Sequence, residues 1–573
     1  MGQRTGFAMI GTEDVDIADK VTPYPDSLAA RYRAAGFWRS RTLCQELQES
    51  VERFSDRLAV VDPGVSLTYA ELGDLTDRIA TGLLQAGLKP GERVLFQTTN
   101  HVWAVLGWYG VLKAGLVPVA TLAQHRWHEI SAIAGQCTPA AHLYEPGFAG
   151  HDLRSLATEI AHAQPSLRIK LTVGTTAPAA DELSIESLAE ANESTAQQRR
   201  LTIEQVQRQL SPESLAVLQL SGGTTSVPKL IPRLSTEYWY NAAQWGDAMN
   251  MDSTSVAVHL LPLIHNAGIV CALHAAHSVG ACFATSPPDT AAFLRLASTV
   301  TITHMLMTRP IARVIEADTR LRAALAELRT VAWADRSVPS AVIDEYETGA
   351  CKVVQMFGMG EGLCMFSPRD ASAEIRHGTQ GTPISPGDEV RVLEPGSERQ
   401  VPPGTSGELC ARGPYTIRGY FAAPERNAEA FTSDGFYRTG DIVTEILDGD
   451  KSYYRLEDRI KDLINRGGEK INAEEVELLL LRHEGIERAA LVAMPDSRLG
   501  ERACAFVVLR QGSEAIELET VKQFLSDQGV AKFKWPERLE IRTELPLTNI
   551  HKVNKAILRE EIATLLADEG NRR

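Results

Sequence analysis

Short apolar runs alternate with amphipathic stretches through the first 200 residues, and that alternation restricts the fold more than any other feature. "LTYAELGDLTDRIATGLLQAGL" (67–88) places apolar residues at helical spacing and stops at glycine and "KPGE", which predicts a helix and then a turn. "RVLFQTT" (93–99) predicts a strand, and "HVWAVLGWYGVLKAGLVPVAT" (101–121) a helix, a Gly-Leu break and a second strand. Strands that return through helices lie parallel, because a parallel pair needs a long crossover connection. The expected class is α/β, with mainly parallel sheets flanked by helices. "TAPAADELSIESLAEANESTAQQRR" (176–200) is polar and acidic and is expected to be a surface excursion.

The texture changes after residue 455. "INAEEVELLLLRHEGIERAALVAM" predicts helix then strand, "ACAFVVLRQG" a strand, "LETVKQFLSDQGV" a helix and "PERLEIRTEL" a strand. That is a compact α+β module of about 110 residues, an ordinary domain size. The charged, glycine-bearing "RLEDRIKDLINRGGEK" (455–470) reads as the hinge. The expected division is a large domain over 1–458 and a small one over 459–573, since 573 residues are too many for one core.

A net charge of −15 disfavours a general role on nucleic acid or an anionic membrane, while leaving room for a locally basic pocket. The eight cysteines are scattered with no CxxC pair, which argues against a zinc site or a disulfide framework and for a reduced, cytoplasmic setting. No signal peptide and no apolar run long enough to cross a membrane is read from the chain.

"AVLQL" (216–220) is a short buried strand that runs straight into "SGGTTSVPKLIPR" (221–233). Glycines let the backbone approach an anion, hydroxyls donate to it, and Lys229 supplies positive charge, so the loop has the chemistry of a phosphate cradle. It is not the GxxxxGK[ST] loop, because a proline precedes Lys229 and no Ser or Thr follows it. A P-loop NTPase is therefore disfavoured.

Five further stretches follow in order: "MFGMGEG" (356–362), "GELCARGPYTIRGYF" (407–421), "GFYRTGD" (435–441), "DRIKDLINRGGEKINAEEVE" (458–477) and "LPLTNIHKVNK" (545–555). Together with the loop they resemble, over nearly the whole chain, the adenylate-forming superfamily of acyl-CoA synthetases, luciferases and peptide-synthetase adenylation domains. The resemblance implies that a carboxylate attacks the α-phosphorus of ATP to give an acyl-adenylate and pyrophosphate. Such chemistry rests on positioning and charge stabilisation. ATP and Mg²⁺ are the expected cofactors. By the same resemblance Ser221, Gly222, Gly223, Thr224, Thr225 and Lys229 hold the β,γ-phosphates, and Glu361 holds the metal with Thr225. Phe357 and Gly358 flank the adenine and acyl sites, Asp441 takes the ribose hydroxyls, and Arg459 assists at ribose or phosphate. Lys552 is the catalytic lysine that bridges carboxylate and α-phosphate, and Lys461 is the hinge residue of a mobile small domain. His551 stands where the family usually has glycine.

Within the superfamily, "LSGGTTSVPKLIPR", "QMFGMGEGL", "INRGGEKI" and "LPLIHNAG" resemble the stand-alone aryl-acid AMP ligases of the salicylate or 2,3-dihydroxybenzoate type. These load an aryl carrier protein in siderophore or nonribosomal peptide synthesis. The resemblance implies that His265 and Asn266 meet the substrate, with Asn266 on the ring hydroxyl ortho to the carboxylate. Cys271 stands where salicylate enzymes tend to have Cys and dihydroxybenzoate enzymes Ser; a thiol is a weak donor and leans against a 3-hydroxyl. Ala267 and Gly268 replace a family aromatic and proline, Trp333 occupies a family glycine position in "VAWADRS", and Cys364 replaces a family Val or Leu. A substituted or heteroaromatic ortho-hydroxy or ortho-amino acid is therefore kept open, and Trp333 is expected at the pocket. The expected partners are the aryl acid and a carrier protein in trans, or CoA if the chain is an aryl-CoA ligase, with no nucleic acid or membrane, in a monomer or homodimer. A non-catalytic nucleotide-binding scaffold is disfavoured by the presence of Glu361, Asp441 and Lys552.

Overall fold

The computed structural model describes residues 19–175, 177–190, 194–221, 228–334, 338–347, 349–459, 463–513, 515–546, 553 and 555–571. Two largely parallel sheets dominate it. In the first, seven strands run in the order Glu182–Ser184, Ile169–Thr172, Ala141–Tyr144, Arg93–Thr98, Val117–Leu122, Leu215–Leu220 and Leu230–Leu234, with only the last pair antiparallel. In the second, six parallel strands (Lys352–Gly358, Thr330–Trp333, His304–Met307, Val256–His259, Cys282–Thr285 and Leu58–Val61) lie side by side, with short antiparallel strands at both edges.

Helices fill the space between the sheets and cover their outer faces. Val102–Lys113 is buried on every side, as a helix between two sheets must be. It shares the largest core cluster with Phe96 and Leu143 of one sheet and Phe283 and Val354 of the other. The same cluster takes in Tyr238 and Trp245 of the helix Ser235–Ala248. A four-stranded antiparallel sheet follows, Glu389–Leu393, Ser406–Arg412, Tyr437–Asp448 and Lys451–Arg459. The strands from Leu463 to Ile541 form a separate five-stranded sheet with its own core of Val476, Leu491, Val507 and Leu525. The expected α/β class, a large parallel-sheet unit with a smaller α+β one, is what the chain adopts. All eight cysteines are buried and unpaired. Among the described residues, no helix is long and apolar enough to cross a membrane.

One expectation is corrected. The stretch 176–200 is not a bare surface excursion: it contributes the edge strand Glu182–Ser184, the helix Ile185–Glu190 and the start of the helix Ala196–Gln209. Ile185 and Ala189 are buried in the main core, and Arg199 is buried against Asp74 at 2.5 Å. The polar composition hid these elements because few apolar residues carry the contact. A Thr195/Gln198 capping box marks the second helix.

The two units meet at a buried charge cluster. Lys534 lies 3.2 Å from Glu129, on the helix Trp127–Cys137, and 2.9 Å from Glu475, on the helix Ala473–Leu480. All three are nearly inaccessible. Burial alone pushes the Glu129 carboxyl up, but Lys534, His125 and the N–H groups of Arg126 and Ala531 more than reverse this and hold it at about 2, against an ordinary 4.5. Because the folded value is depressed, this contribution to stability is complete above pH 4.5 and fades as the pH falls toward 2. Lys534→Met leaves two carboxylates without their cation in a dry site and is expected to cost about 3–5 kcal/mol. Thermal unfolding between about pH 3 and about pH 7 checks both statements: the wild-type advantage is largest at the neutral end and shrinks in acid. An unchanged midpoint for the variant contradicts the pairing.

Candidate functional site

The site lies where the parallel strands end, the usual position for a ligand in an open α/β sheet. Strand Lys352–Gly358 ends in the turn that carries Glu361, strand Leu215–Leu220 ends at Ser221, and strand Val256–His259 leads to His265 and Asn266. These ends open on a cavity of about 570 Å³. It brings together Ser221, Lys229, His265, Asn266, Cys271, Gly358, Glu361, Cys364 and Asp441, nine of the expected site residues. A second cavity of about 1000 Å³ adjoins it across Ser221, His265, Ala267, Met356 and Gly358. It is lined by Phe357 and reaches Arg466, Gly467, Gly468 and Lys534 of the small unit.

The end of the cavity around Glu361 is held by hydrogen bonds. Tyr420 donates its hydroxyl to Glu361 Oε1 at 2.7 Å and lies 2.8 Å from the Tyr437 hydroxyl. Burial first, then the Glu361 charge, pushes both phenols well above their ordinary value, so both stay protonated. Lys229 Nζ sits 4.5 Å from the centre of the Tyr420 ring, within cation–π range. The Glu361 turn needs the glycine after it: Gly362 has φ +139°, and a Cβ there would lie 2.2 Å from the Tyr415 carbonyl oxygen.

The residues fit Mg²⁺ and a nucleotide. Glu361 lines the cavity with an oxygen donor, and Ser221 Oγ is buried with no partner among the described residues, as a hydroxyl left for a ligand would be. Ser221 N–H donates to the Lys229 carbonyl at 3.0 Å, which closes the base of the loop. Among the described residues, no three His, Cys, Asp or Glu converge on a metal position, so the ion would rest on one carboxylate, phosphates and water, the usual manner for Mg²⁺. Asp441 also lines this cavity, and its N–H donates to Thr439 Oγ1 at 3.0 Å. Its backbone pairs with that of Arg459. Gly222, Gly223, Thr224, Thr225, Lys461, His551 and Lys552 lie outside the described residues.

The opposite end of the cavity is built around Asn266. His265 caps the short helix Asn266–Gly268 by accepting from the Ala267 N–H at 3.3 Å. A π-helical segment, Ile269–His274, follows directly and carries Cys271; such wide turns often mark functional positions. Ala267 lines both cavities. Gly268 does not: a Cβ there would lie 2.2 Å from the Leu263 carbonyl oxygen, so its small size serves packing.

Trp333 corrects an expectation, for it lines neither cavity. It is fully buried in the core on the outer face of its sheet, beside Met305, Met307 and Val353. Alternation along the strand explains this. Ala332 turns into the inner core with Met356 and Cys364, and Ala334 lines the larger cavity.

The region is also shaped by residues that the sequence reading missed. Tyr420 and Tyr437 stood inside quoted motifs without a role. Arg233 ends the 221–233 loop and was given no role there; its partners beyond Glu237, and those of Tyr238 and Asn241, come from distant segments.

Residues 47–421 match the family model described as AMP-binding enzyme, and residues 475–552 match the AMP-binding enzyme C-terminal domain. The chain belongs to the AMP-binding enzyme family. As an adenylate-forming ligase of that family, it is 38% identical over 551 residues to a salicylyl-CoA synthase / salicylate adenylyltransferase of a Streptomyces species, covering 94% of this chain and 97% of that one. It is 37% identical over 555 residues to the 2,3-dihydroxybenzoate-AMP ligase of Bacillus subtilis strain 168, covering 95% and 98%. The apo structure of MbtA from Mycobacterium smegmatis superposes with a TM-score of 0.69 at 34% identity, covering 95% of this chain and 99% of that one. The resemblance to aryl-acid AMP ligases is thus borne out by its relatives.

Placement in the core has a direct consequence for this ligase. Trp333→Ala is expected to cost about 3–5 kcal/mol of stability and to leave the ranking of acids unchanged. Urea unfolding and a substrate profile check this; a changed ranking at unchanged stability contradicts the placement.

Proposed function

We propose that the ligase activates an aryl carboxylic acid of the salicylate class, giving aryl-AMP and pyrophosphate, and then passes the aryl group to a thiol. One observation carries the reading: Asn266, Cys271 and Cys364 share a single cavity with Glu361, Lys229 and Asp441. An acid seated against Asn266 lies in the same space as a nucleotide seated against Glu361 and Asp441. The names of the relatives support the choice of an aryl acid.

In this reading Lys229, Ser221 and the loop 222–225 hold the β,γ-phosphates, and Asp441 takes the ribose hydroxyls with Arg459 beside it. Phe357 and Gly358 lie between adenine and ring. Glu361 and Thr225 hold Mg²⁺, which supplies charge neutralisation on the phosphates when bound. Lys552 offsets charge as the carboxylate attacks, and Lys461 is the pivot about which a mobile unit 459–573 brings Lys552 in and then withdraws it from the core 1–458.

The larger cavity offers a path for the incoming thiol, from Phe357 and Ala267 to Gly467 and Gly468. A phosphopantetheine arm of a carrier protein in trans is the proposed acceptor, in cytoplasmic siderophore or nonribosomal peptide synthesis by a monomer or homodimer. CoA is the second reading, favoured by Arg309 and Arg313 on the cavity wall and by the relative named as a CoA synthase.

ATP–pyrophosphate exchange over salicylate, 2,3-dihydroxybenzoate, picolinate, anthranilate, larger aryl acids and aliphatic acids tests the proposal. Exchange confined to aryl acids supports it, and exchange confined to aliphatic acids overturns it. Lys552→Ala is expected to lower exchange by about 10²–10³-fold with little change in ATP binding. Cys271→Ser adds a hydroxyl and is expected to raise 2,3-dihydroxybenzoate relative to salicylate by up to about tenfold.

A further inference from the structure

Two buried asparagines, Asn266 on the cavity wall and Asn241 behind it, each accept a hydrogen bond at the amide oxygen from a buried donor. Tyr238 donates its hydroxyl to Asn266 Oδ1 at 2.9 Å, and Gln219 Nε2 donates to the same hydroxyl at 3.0 Å. A phenol has one proton; accepting from Gln219, it gives that proton to Asn266. Tyr238 is fully buried, and the Arg233 guanidinium lies 4.6 Å from its ring centre. It lines neither cavity.

The second asparagine repeats the arrangement. Arg233 Nη2 donates to Asn241 Oδ1 at 3.4 Å, and Asn241 Nδ2 points to Cys364 Sγ at 3.8 Å, at the cavity wall. An amide oxygen has two lone pairs, but one held by a buried donor fixes which way the amide faces and leaves its N–H groups as the end offered to a new partner. The neighbouring Cys271 and Cys364 are buried thiols, which accept hydrogen bonds weakly.

We infer that Tyr238 is a specificity-determining positioning residue: it locks the Asn266 amide so that its N–H groups are the donors at this end of the pocket, and these select acids whose ortho group accepts a hydrogen bond. A phenolic or phenolate oxygen fits, as does a ring nitrogen. An ortho amino group sets N–H against N–H and leaves buried donors unmet, a mismatch that enzymes reject strongly. The inference rests on the aryl-acid reading above and separates two acids which that reading leaves together.

The test compares the full chain with Tyr238→Phe, which keeps the ring and removes only the hydroxyl. The readout is kcat/KM for ATP–pyrophosphate exchange with salicylate, picolinate, anthranilate and benzoate. The wild type is expected to favour salicylate and picolinate over anthranilate by about tenfold or more. In the variant the Asn266 amide is free to turn, and the salicylate-to-anthranilate ratio is expected to fall about tenfold while the KM for ATP stays put. Gln219→Met, which frees the Tyr238 hydroxyl, shifts the ratio the same way and serves if Tyr238→Phe does not fold. An unchanged ratio in the folded variants overturns the lock. A wild type that prefers anthranilate overturns selection by these donors while the aryl reading stands. A wild type that uses no aryl acid overturns that reading and this inference with it.

Discussion

The site hangs on one buried guanidinium. Arg233 has no solvent exposure. It forms a two-pronged ion pair with Glu237 at 3.0 and 2.8 Å and donates to the carbonyls of Gly360 at 2.9 Å and Tyr415 at 3.3 Å. Burial works against its charge, but the Glu237 carboxylate outweighs that and holds its pKa above the ordinary value. Each partner belongs to a different piece of the site. Gly360 precedes Glu361, Tyr415 lies between the antiparallel strands, and Asn241 and Tyr238 bond to Cys364 and Asn266. A buried charge is costly unless it is fully paired, so the segments around Arg233 are not free to shift independently.

Because those segments are fixed, the chemistry can be divided between rigid parts and a separately folded one. In the proposed reading, the large unit supplies an acyl end of amide and thiols and a nucleotide end of carboxylate, hydroxyl and lysine. The smaller unit has its own core and meets the large one at the Glu129–Lys534–Glu475 cluster. Parting the units gives up the Lys534–Glu129 pair, while Lys534 and Glu475, both on the smaller unit, stay together.

Much of this was legible in the chain. Helix and strand periodicity gave the α/β class, and the strand ahead of Ser221 fell where it was read, at Leu215–Leu220. The motif residues Lys229, Glu361 and Asp441 meet on one cavity with Asn266 and Cys271. Three things were not legible. The 176–200 stretch is held by a few apolar residues inside a polar run, so composition misled. Trp333 was assigned to the pocket by its motif position, and only the alternation of its strand shows that Ala332 and Ala334 face inward in its place. The roles of Arg233, which ends the 221–233 loop, and Tyr238 were hidden for a further reason: both act through segments brought together only by folding.

The central claim is that acid and nucleotide occupy one continuous space. Calorimetric titration with a stable sulfamoyl analogue of 2-hydroxybenzoyl-adenylate tests it most directly, since a single molecule then spans Asn266 and Asp441. The account predicts affinity at least about 10²-fold above that for ATP or for salicylate alone, lost in part on Asn266→Leu and in part on Asp441→Asn. Binding no tighter than that of ATP, or insensitive to Asn266, would contradict it.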